Sequence, residues 1–531
     1  MNTLRAETVP PPAAPERPGH PWRLALRSGV GTTEVVAALG SAFDVHRAPV
    51  ARLSTVVYDT HVWTLWFSGL VLQAVNNQWT LHTRDGEWME EVSAGAAVGG
   101  PAPRFAWEFP AGTLRDALEE RLGYRCLRRV AVCRSRSHAL ELRDESGKTV
   151  VRVQIDEIPP RAEGDGAFFA RVQPLRGYDS ESALAVQILR AFASDSPDAG
   201  PILTALRAEG ENPTPYTLKP KLEFSGRQTA RSAVCEAVLR TLEIARSNEA
   251  GIVDDADTEF LHDYRVCLRK IRSALSLIKG VFPPEVLEGW KATLGGLGRR
   301  TNKLRDLDVH LLSRERMTSL LPPVLQPGLA PFFEDLIGAR AAEAQRVSRY
   351  FRSAAYRQLM TELENGFTTA DQLPATEHSA SPVGGEAAKR IAKRFRGIVA
   401  LAKDLHEDSA DEDVHSIRIE CKKLRYLLEF FGRLFSGEDV EPVSRQLARL
   451  QNKLGSFNDT SVQQACLLDY WKENEAHGEA SLAMSLGGLV SLLHRDHLVL
   501  RGEVAKVLST FCSSKNAQRI AEIEQTGGAY R

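Results

Sequence analysis

The stretch HDYRVCLRKIRSAL (262–275) returns 153 residues later as HSIRIECKKLRYLL (415–428). His262, Arg265, Arg269, Lys270 and Arg272 become His415, Arg418, Lys422, Lys423 and Arg425. The same offset carries Arg300 to Lys453 and Asp306 to Asp459. One offset held without insertion from 262 to 306 marks an internal duplication. The apolar positions repeat with it: Leu261, Tyr264, Leu268, Ile271, Leu275 and Ile278 become Val414, Ile417, Cys421, Leu424, Leu428 and Phe431. Their 3, 4, 3, 4, 3 spacing predicts an amphipathic helix in each copy, with this stripe turned to a core.

The basic positions follow the apolar ones by one residue, so on a helix His262, Arg265, Arg269 and Arg272 share an arc of roughly 80° beside the stripe. In a single helix such an arc is usually a solvated flank whose long stems cover the edge of the core. A solvated flank needs polarity, but it does not need a histidine and three cations at matching positions in two copies. The repetition therefore points to a polyanion site. If the two copies bring these faces together, each pair of like charges at ~4 Å costs about 1 kcal/mol even in water, so the groove calls for a counter-anion. Arginine forks grip phosphate oxygens in pairs, lysines act as point charges and a protonated histidine donates.

The third helix of each repeat adds Arg299, Arg300, Lys303 and Arg305, then Arg449 and Lys453. The candidate binding set is His262, Arg265, Arg269, Lys270, Arg272, Arg300, Lys303, Arg305, His415, Arg418, Lys422, Lys423, Arg425 and Lys453. A linear phosphate polymer suits it. Nucleic acid ranks second, because only Tyr264 and Tyr426 lie near these faces and Tyr264 falls on the core stripe. Asp306 and Asp459 are expected to pair with arginines of the facing helix, since one carboxylate per copy is too few ligands for a hard cation.

With 531 residues, 43% of them hydrophobic, the chain has material for two to four domains. Residues 1–215 carry 23 Lys+Arg against 26 Asp+Glu, and residues 216–531 carry 44 against 42, so an anion site must come from local organisation rather than bulk charge. The cysteines at 126, 133, 235, 267, 421, 466 and 512 have neither disulfide nor zinc spacing. No nucleophile elbow, phosphate-binding loop or dinucleotide fingerprint occurs, so no catalytic residue, metal ligand or cofactor is expected. Prolines interrupt the N-terminus where a signal peptide would be apolar, and no stretch of 18 apolar residues is present. A cytoplasmic protein with no membrane partner is expected.

Residues 1–20 (with VPPPAAPERPGHP) are expected to be a disordered tail. Residues 21–207 read as an α+β domain, with strands at Leu53–Tyr58, Trp63–Val75 and Trp79–Thr83 and a hairpin of Arg134–Arg143 with Thr149–Ile158. Helices are expected at Thr113–Leu122 and Ser182–Ala193, then a linker at 208–219. From 220 to 512 the chain reads as all helical. Repeat one (220–370) has helices near 228–248, 258–281, 285–313 and 330–364, and repeat two (384–512) near 386–404, 412–435, 439–474 and 478–510. Two four-helix bundles related by a pseudo-twofold axis are expected, with a flexible connection at 371–385 and a C-terminal tail at 513–531.

The duplicated segments, together with KLRDLDV (303–309) and LGSFNDTSV (454–462), resemble the CHAD domain, an α-helical family named for its histidines. The resemblance implies two helical bundles and a basic surface that binds inorganic polyphosphate, falling on the candidate residues above. Polyphosphate granules would then be the place where such binding acts. The N-terminal part resembles a CYTH domain, an antiparallel β-barrel that hydrolyses triphosphates with a divalent metal. The likeness rests on VVYDTHVWTLWFSGLVLQ (56–73), QWTLHTR (78–84) and CRSRSHALELRDESGKTVVRVQIDEI (133–158). Where that family places metal-holding carboxylates, Trp22–Ser28 (WRLALRS) and Phe169–Arg176 (FARVQPLR) contain none, so this departure predicts a degenerate, non-hydrolysing barrel, with an active inorganic triphosphatase as the alternative. Arg134, Arg136, Asp156 and Glu157 are the charged residues that remain.

Overall fold

The computed structural model describes residues 22–27, 29–83, 91–97, 101–159, 167–194, 201–220, 222–406, 409–475 and 479–530. The expected tail at 1–20 lies outside the described residues. The chain divides into two compact units, Met1–Tyr216 and Thr217–Arg531.

The first unit runs β1 (Trp22–Leu26), α1 (Thr32–Leu39), β2 (Asp44–Arg47), β3 (Ala51–Thr60), α2 (Thr64–Phe67), β4 (Leu70–Val75), β5 (Gln78–Thr83) and β6 (Glu91–Ala97). It continues with α3 (Thr113–Leu122), β7 (Leu127–Arg143), β8 (Thr149–Ile158), β9 (Ala167–Pro174), α4 (Asp179–Arg190) and α5 (Pro201–Ala208). The strands form one antiparallel sheet in the order β1-β9-β8-β7-β3-β4-β5-β6, with β2 also on β7. Among the described residues β1 and β6 do not pair, so the expected barrel is a curled half-barrel.

The expected strand at Trp63–Val75 begins with a helical turn, and its strand is Leu70–Val75. Asp59, 4% exposed, accepts from the backbone N–H groups of Thr60 (2.7 Å), Leu65 (3.0 Å) and Trp66 (2.8 Å), which winds Thr64–Phe67 into a turn before the strand can begin. Side chains of β4 alternate between two cores: Leu70, Leu72 and Ala74 join α3, whereas Val71 joins Val57, Cys133 and the α5 residues Ala205 and Leu206 on the opposite face. Helix α5, unforeseen from sequence, thus covers part of the face that a closed barrel would enclose. Just beyond it, Glu211 takes a two-pronged ion pair from Arg128 (2.5 and 2.8 Å), so the first part of the expected linker is fastened to this unit.

The second unit is helical: α6 (Ala230–Ser247), α7 (Glu249–Val253), α8 (Thr258–Leu277), α9 (Pro284–Leu312), α10 (Arg314–Leu320), α11 (Ala330–Arg352) and α12 (Ala354–Thr368), followed by α13 (Val383–Lys403), α14 (Asp411–Phe431), α15 (Gly437–Asn474), α16 (Ala480–Phe511) and α17 (Ser514–Gly528). The helix expected at 330–364 is broken at Ser353, whose hydroxyl accepts from Tyr356 N–H and caps α12. All twelve stripe positions are buried: Tyr264, Ile271, Cys421 and Leu424 have no exposure, and the remaining eight lie within the same core. The two repeats share that core. Leu268 and Leu275 belong to one cluster with Leu424 and Phe431, and a second cluster joins Phe332 and Phe333 to Leu467 and Leu489.

The expected flexible connection is tied down by one buried arginine. Arg231, 6% exposed, donates to the carbonyls of Val281 (3.1 Å), Leu373 (2.7 Å) and Pro374 (2.7 Å), and Ala230 N–H bonds Ser381 O (2.8 Å). Of the expected tail at 513–531, the described residues 513–530 are likewise not loose. Helix α17 buries Ile520 and Ile523 against α13, and the Tyr530 ring lies so close over Gly226 and Gly384 that a Cβ there would meet it at 2.3–2.4 Å.

Candidate functional site

Helix α8 starts at Asp257, whose carboxylate accepts from the N–H groups of Glu259 (2.9 Å) and Phe260 (3.3 Å). From that start Arg265, Arg269 and Arg272 fall on one face at i, i+4 and i+7, beside α9. With Arg299, Asn302, Leu268, Leu294, Gly295 and Gly298 they line a cleft of about 190 Å³. Arg265 donates to Gly298 O (3.0 Å), Thr301 Oγ1 (2.9 Å) and Asn302 Oδ1 (2.8 Å), so it forms the cleft wall and holds α8 on α9. Burial, and then the neighbouring Arg269, pull its guanidinium down to about 10. Arg269, Arg272 and Arg299 are exposed. The glycines keep the cleft open, since a Cβ on Gly295 would sit 3.4 Å from the Arg299 guanidinium.

The duplicated faces converge. Helices α8 and α14 pack together, and the charge of Arg269 acts on both Arg418 and Lys422 of the second repeat. Burial first, then Arg418, Arg269 and Arg425, push the Lys422 ammonium down to about 8, and only Asp459 opposes them. Arg418 is lowered by burial and by Arg269 and Arg425, again against Asp459. Asp306 is exposed along one side, and the part of its carboxyl that the helices cover raises it, with Arg265 opposing. It moderates the arginines without making an ion pair within 4 Å among the described residues. The acid buried on α9 is Asp308, which Arg340 holds at 2.9 Å.

Several sequence candidates lie elsewhere. Lys270 is buried, 2.7 Å from Glu429 on α14 and 2.7 Å from Leu218 O, because its position turns toward the seam between the repeats. Arg300 lies over the Tyr350 ring at 4.4 Å and Lys303 faces Glu343, so both belong to the α9–α11 side. Arg305 donates to Thr258 O (3.4 Å) near Glu259 (3.9 Å). Lys423 pairs with Glu420 (2.7 Å) and Lys453 with Glu503 (2.6 Å). The ligand atoms of His262, Glu259 and Asp263 lie within 4.8 Å of one another, which sets this histidine among carboxylates. Arg425, by contrast, stays in the α14 row beside Lys422, 5.2 Å over Tyr426 and 3.6 Å from Glu429.

His415, with Nδ1 3.3 Å from Asn458 Oδ1, lines a different pocket of about 300 Å³ with Arg418, Asp411 and Glu412, a mixed-charge environment. The two repeats also differ at the cleft itself. Gly298 corresponds by the 153 offset to Gln451, whose amide donates to Cys421 O (2.7 Å) and occupies the equivalent ground. Arg299 and the two glycines were left out of the candidate set. The signal was present in LGGLGRR (294–300), where glycines inside a helix mark a close approach or a kept space.

Residues 236–468 match the family model of the CHAD domain. This helical region is a CHAD domain. A search of solved structures returns the crystal structure of the CHAD domain from the plant Ricinus communis, 24% identical over 55% of this chain and 95% of that one, with a TM-score of 0.46. It also returns a Vibrio parahaemolyticus protein named as a candidate adenylate cyclase, 14% identical over 35% of this chain and 98% of that one, with a TM-score of 0.22. No curated protein matches the chain. The CHAD domain here carries one open arginine cleft and one row of cations beside it, with Arg269 acting on both.

Proposed function

We propose that this CHAD domain binds inorganic polyphosphate along the face that joins the α8–α9 cleft to the row Arg418, Lys422 and Arg425. The packing of α8 against α14, which brings the charge of Arg269 to Arg418 and Lys422 across the repeat boundary, carries this reading. Cations here outnumber the carboxylates beside them, Asp306, Asp459 and the Glu429 that Arg425 approaches at 3.6 Å, which favours a linear polyanion with a charge on every unit. Few aromatic rings stand on this face to stack bases, which places RNA behind polyphosphate. Granule association in the cytoplasm would be the setting. The test is a titration of the full chain with long-chain polyphosphate at several salt concentrations, with single-stranded RNA as competitor. Tight, salt-sensitive binding that RNA does not displace is expected. Equal displacement by RNA would reduce the face to a general polyanion site, and absence of binding would end the reading.

The first unit is proposed to be a CYTH-like half-barrel without hydrolytic activity. Ile202, Ala205 and Leu206 of α5 pack on its barrel-side face, and β1 and β9 contribute Arg23 and Arg171 there rather than carboxylates that hold Mg²⁺. Tripolyphosphate mixed with the protein and Mg²⁺ or Mn²⁺ should release no phosphate. Release that disappears on replacing Asp156 or Glu157 would overturn this.

A further inference from the structure

Lys422 stands between Arg418 and Arg425, one helical turn away on either side of the same α14 face, and Arg269 reaches it from α8. It is half-buried, so its amine is held in place yet reachable from solvent. Lys270 and Lys453 are locked in ion pairs with Glu429 and Glu503, and Lys423 with Glu420; no such carboxylate is within 4 Å of Lys422 among the described residues. We infer that Lys422 is an acylation site for small acyl phosphates, whose phosphate group the three arginines capture while the carbonyl carbon is presented to Nζ.

The chemistry needs only the donor. The neutral amine attacks the carbonyl carbon, a C–N bond forms and the C–O bond to phosphate breaks. Inorganic phosphate leaves with the electron pair, and the amine proton passes to water. Burial and the surrounding guanidiniums already hold the ammonium down at about 8, so a large share of Nζ is in the nucleophilic form under mildly alkaline conditions. The product is an uncharged amide in the middle of the cationic row. Acylation would therefore lower polyanion affinity, a form of regulation that rests on the polyphosphate reading.

The experiment incubates the full chain with acetyl phosphate at pH 8 and follows each lysine by peptide mass spectrometry. Lys422 should acetylate about tenfold faster than the exposed Lys506 and Lys515. R269Q should reduce that ratio, tripolyphosphate should protect Lys422 selectively, and the acetylated protein should bind long-chain polyphosphate more weakly. Equal rates at Lys422, Lys506 and Lys515 would overturn the inference, as would a ratio unchanged in R269Q. Titrating the unmodified protein with polyphosphate alongside separates the two ideas. Binding without selective acetylation sinks only the acylation site, whereas selective acetylation without binding sinks the polyphosphate reading and leaves a small-anion site.

Discussion

Lys270 of α8 places its ammonium 2.7 Å from the Glu429 carboxylate of α14, both nearly out of contact with water, and so pins the two repeats together. Removing Lys270 leaves Glu429 in the seam with Arg425, 3.6 Å away, as its remaining counter-charge. K270M should destabilise the helical unit by about 3 kcal/mol in urea denaturation. An unchanged midpoint would show that the pair contributes nothing net.

Arg269 and Arg272 are exposed, whereas Arg265 is bonded to α9, so charge is best reversed at the former pair. R269E/R272E should weaken polyphosphate binding at least about tenfold and reduce the slope of log affinity against log salt by roughly one unit per lost contact. R265E should instead lower thermal stability. Equal affinity in R269E/R272E and the unaltered protein would show that the cleft is ordinary solvated surface.

Gly298 has open space where a side chain would go. G298Q, which copies Gln451 of the second repeat, should fill the first cleft and weaken binding several-fold. Its melting temperature should stay level or rise, because glycine within a helix costs roughly 0.5–1 kcal/mol relative to alanine. Weaker binding with a collapsed melting temperature would reveal a folding defect instead.

The lowered Lys422 ammonium makes two opposite pH dependences. Below pH 8 it is protonated in the folded and the unfolded chain, and the folded state bears the full cost of the crowded charge. Between about 8 and its ordinary value of 10.5 the folded chain sheds a proton that the unfolded chain keeps, so apo stability should rise with pH across this window. Polyphosphate favours the charged amine, so affinity should fall with pH from about 8 upward. K422M should flatten both trends, measured by denaturation and by titration across pH 7–10. A profile that K422M leaves unchanged would assign the trend to another group, with Arg265, held at about 10, the next to titrate.

The duplication, the core stripe of each second helix and the row of basic residues beside that stripe were legible in the chain. A helix repeats every 3.6 residues, so sequence spacing alone says which residues share a side. All twelve stripe positions are buried, and Thr113–Leu122 and Thr149–Ile158 fold within the expected bounds. The hydrogen bonds that bend the chain were not legible. Asp59 winds Thr64–Phe67, Ser353 splits a helix, and Arg231 fastens the connection between repeats, each through partners that periodicity does not record.

Nor could spacing decide which cations remain available. Lys270 and Lys423 occupy matching places in the duplicated pattern, yet one meets Glu429 of the other repeat and the other meets Glu420 of its own helix. Lys453 is claimed by Glu503 from another helix, and Arg300 turns to Tyr350. The sequence by itself determined that two basic helical faces exist. Tertiary packing determined that Arg269 joins them and that Gly295 and Gly298 leave one cleft open, because charges pair and spaces close between helices far apart in the chain.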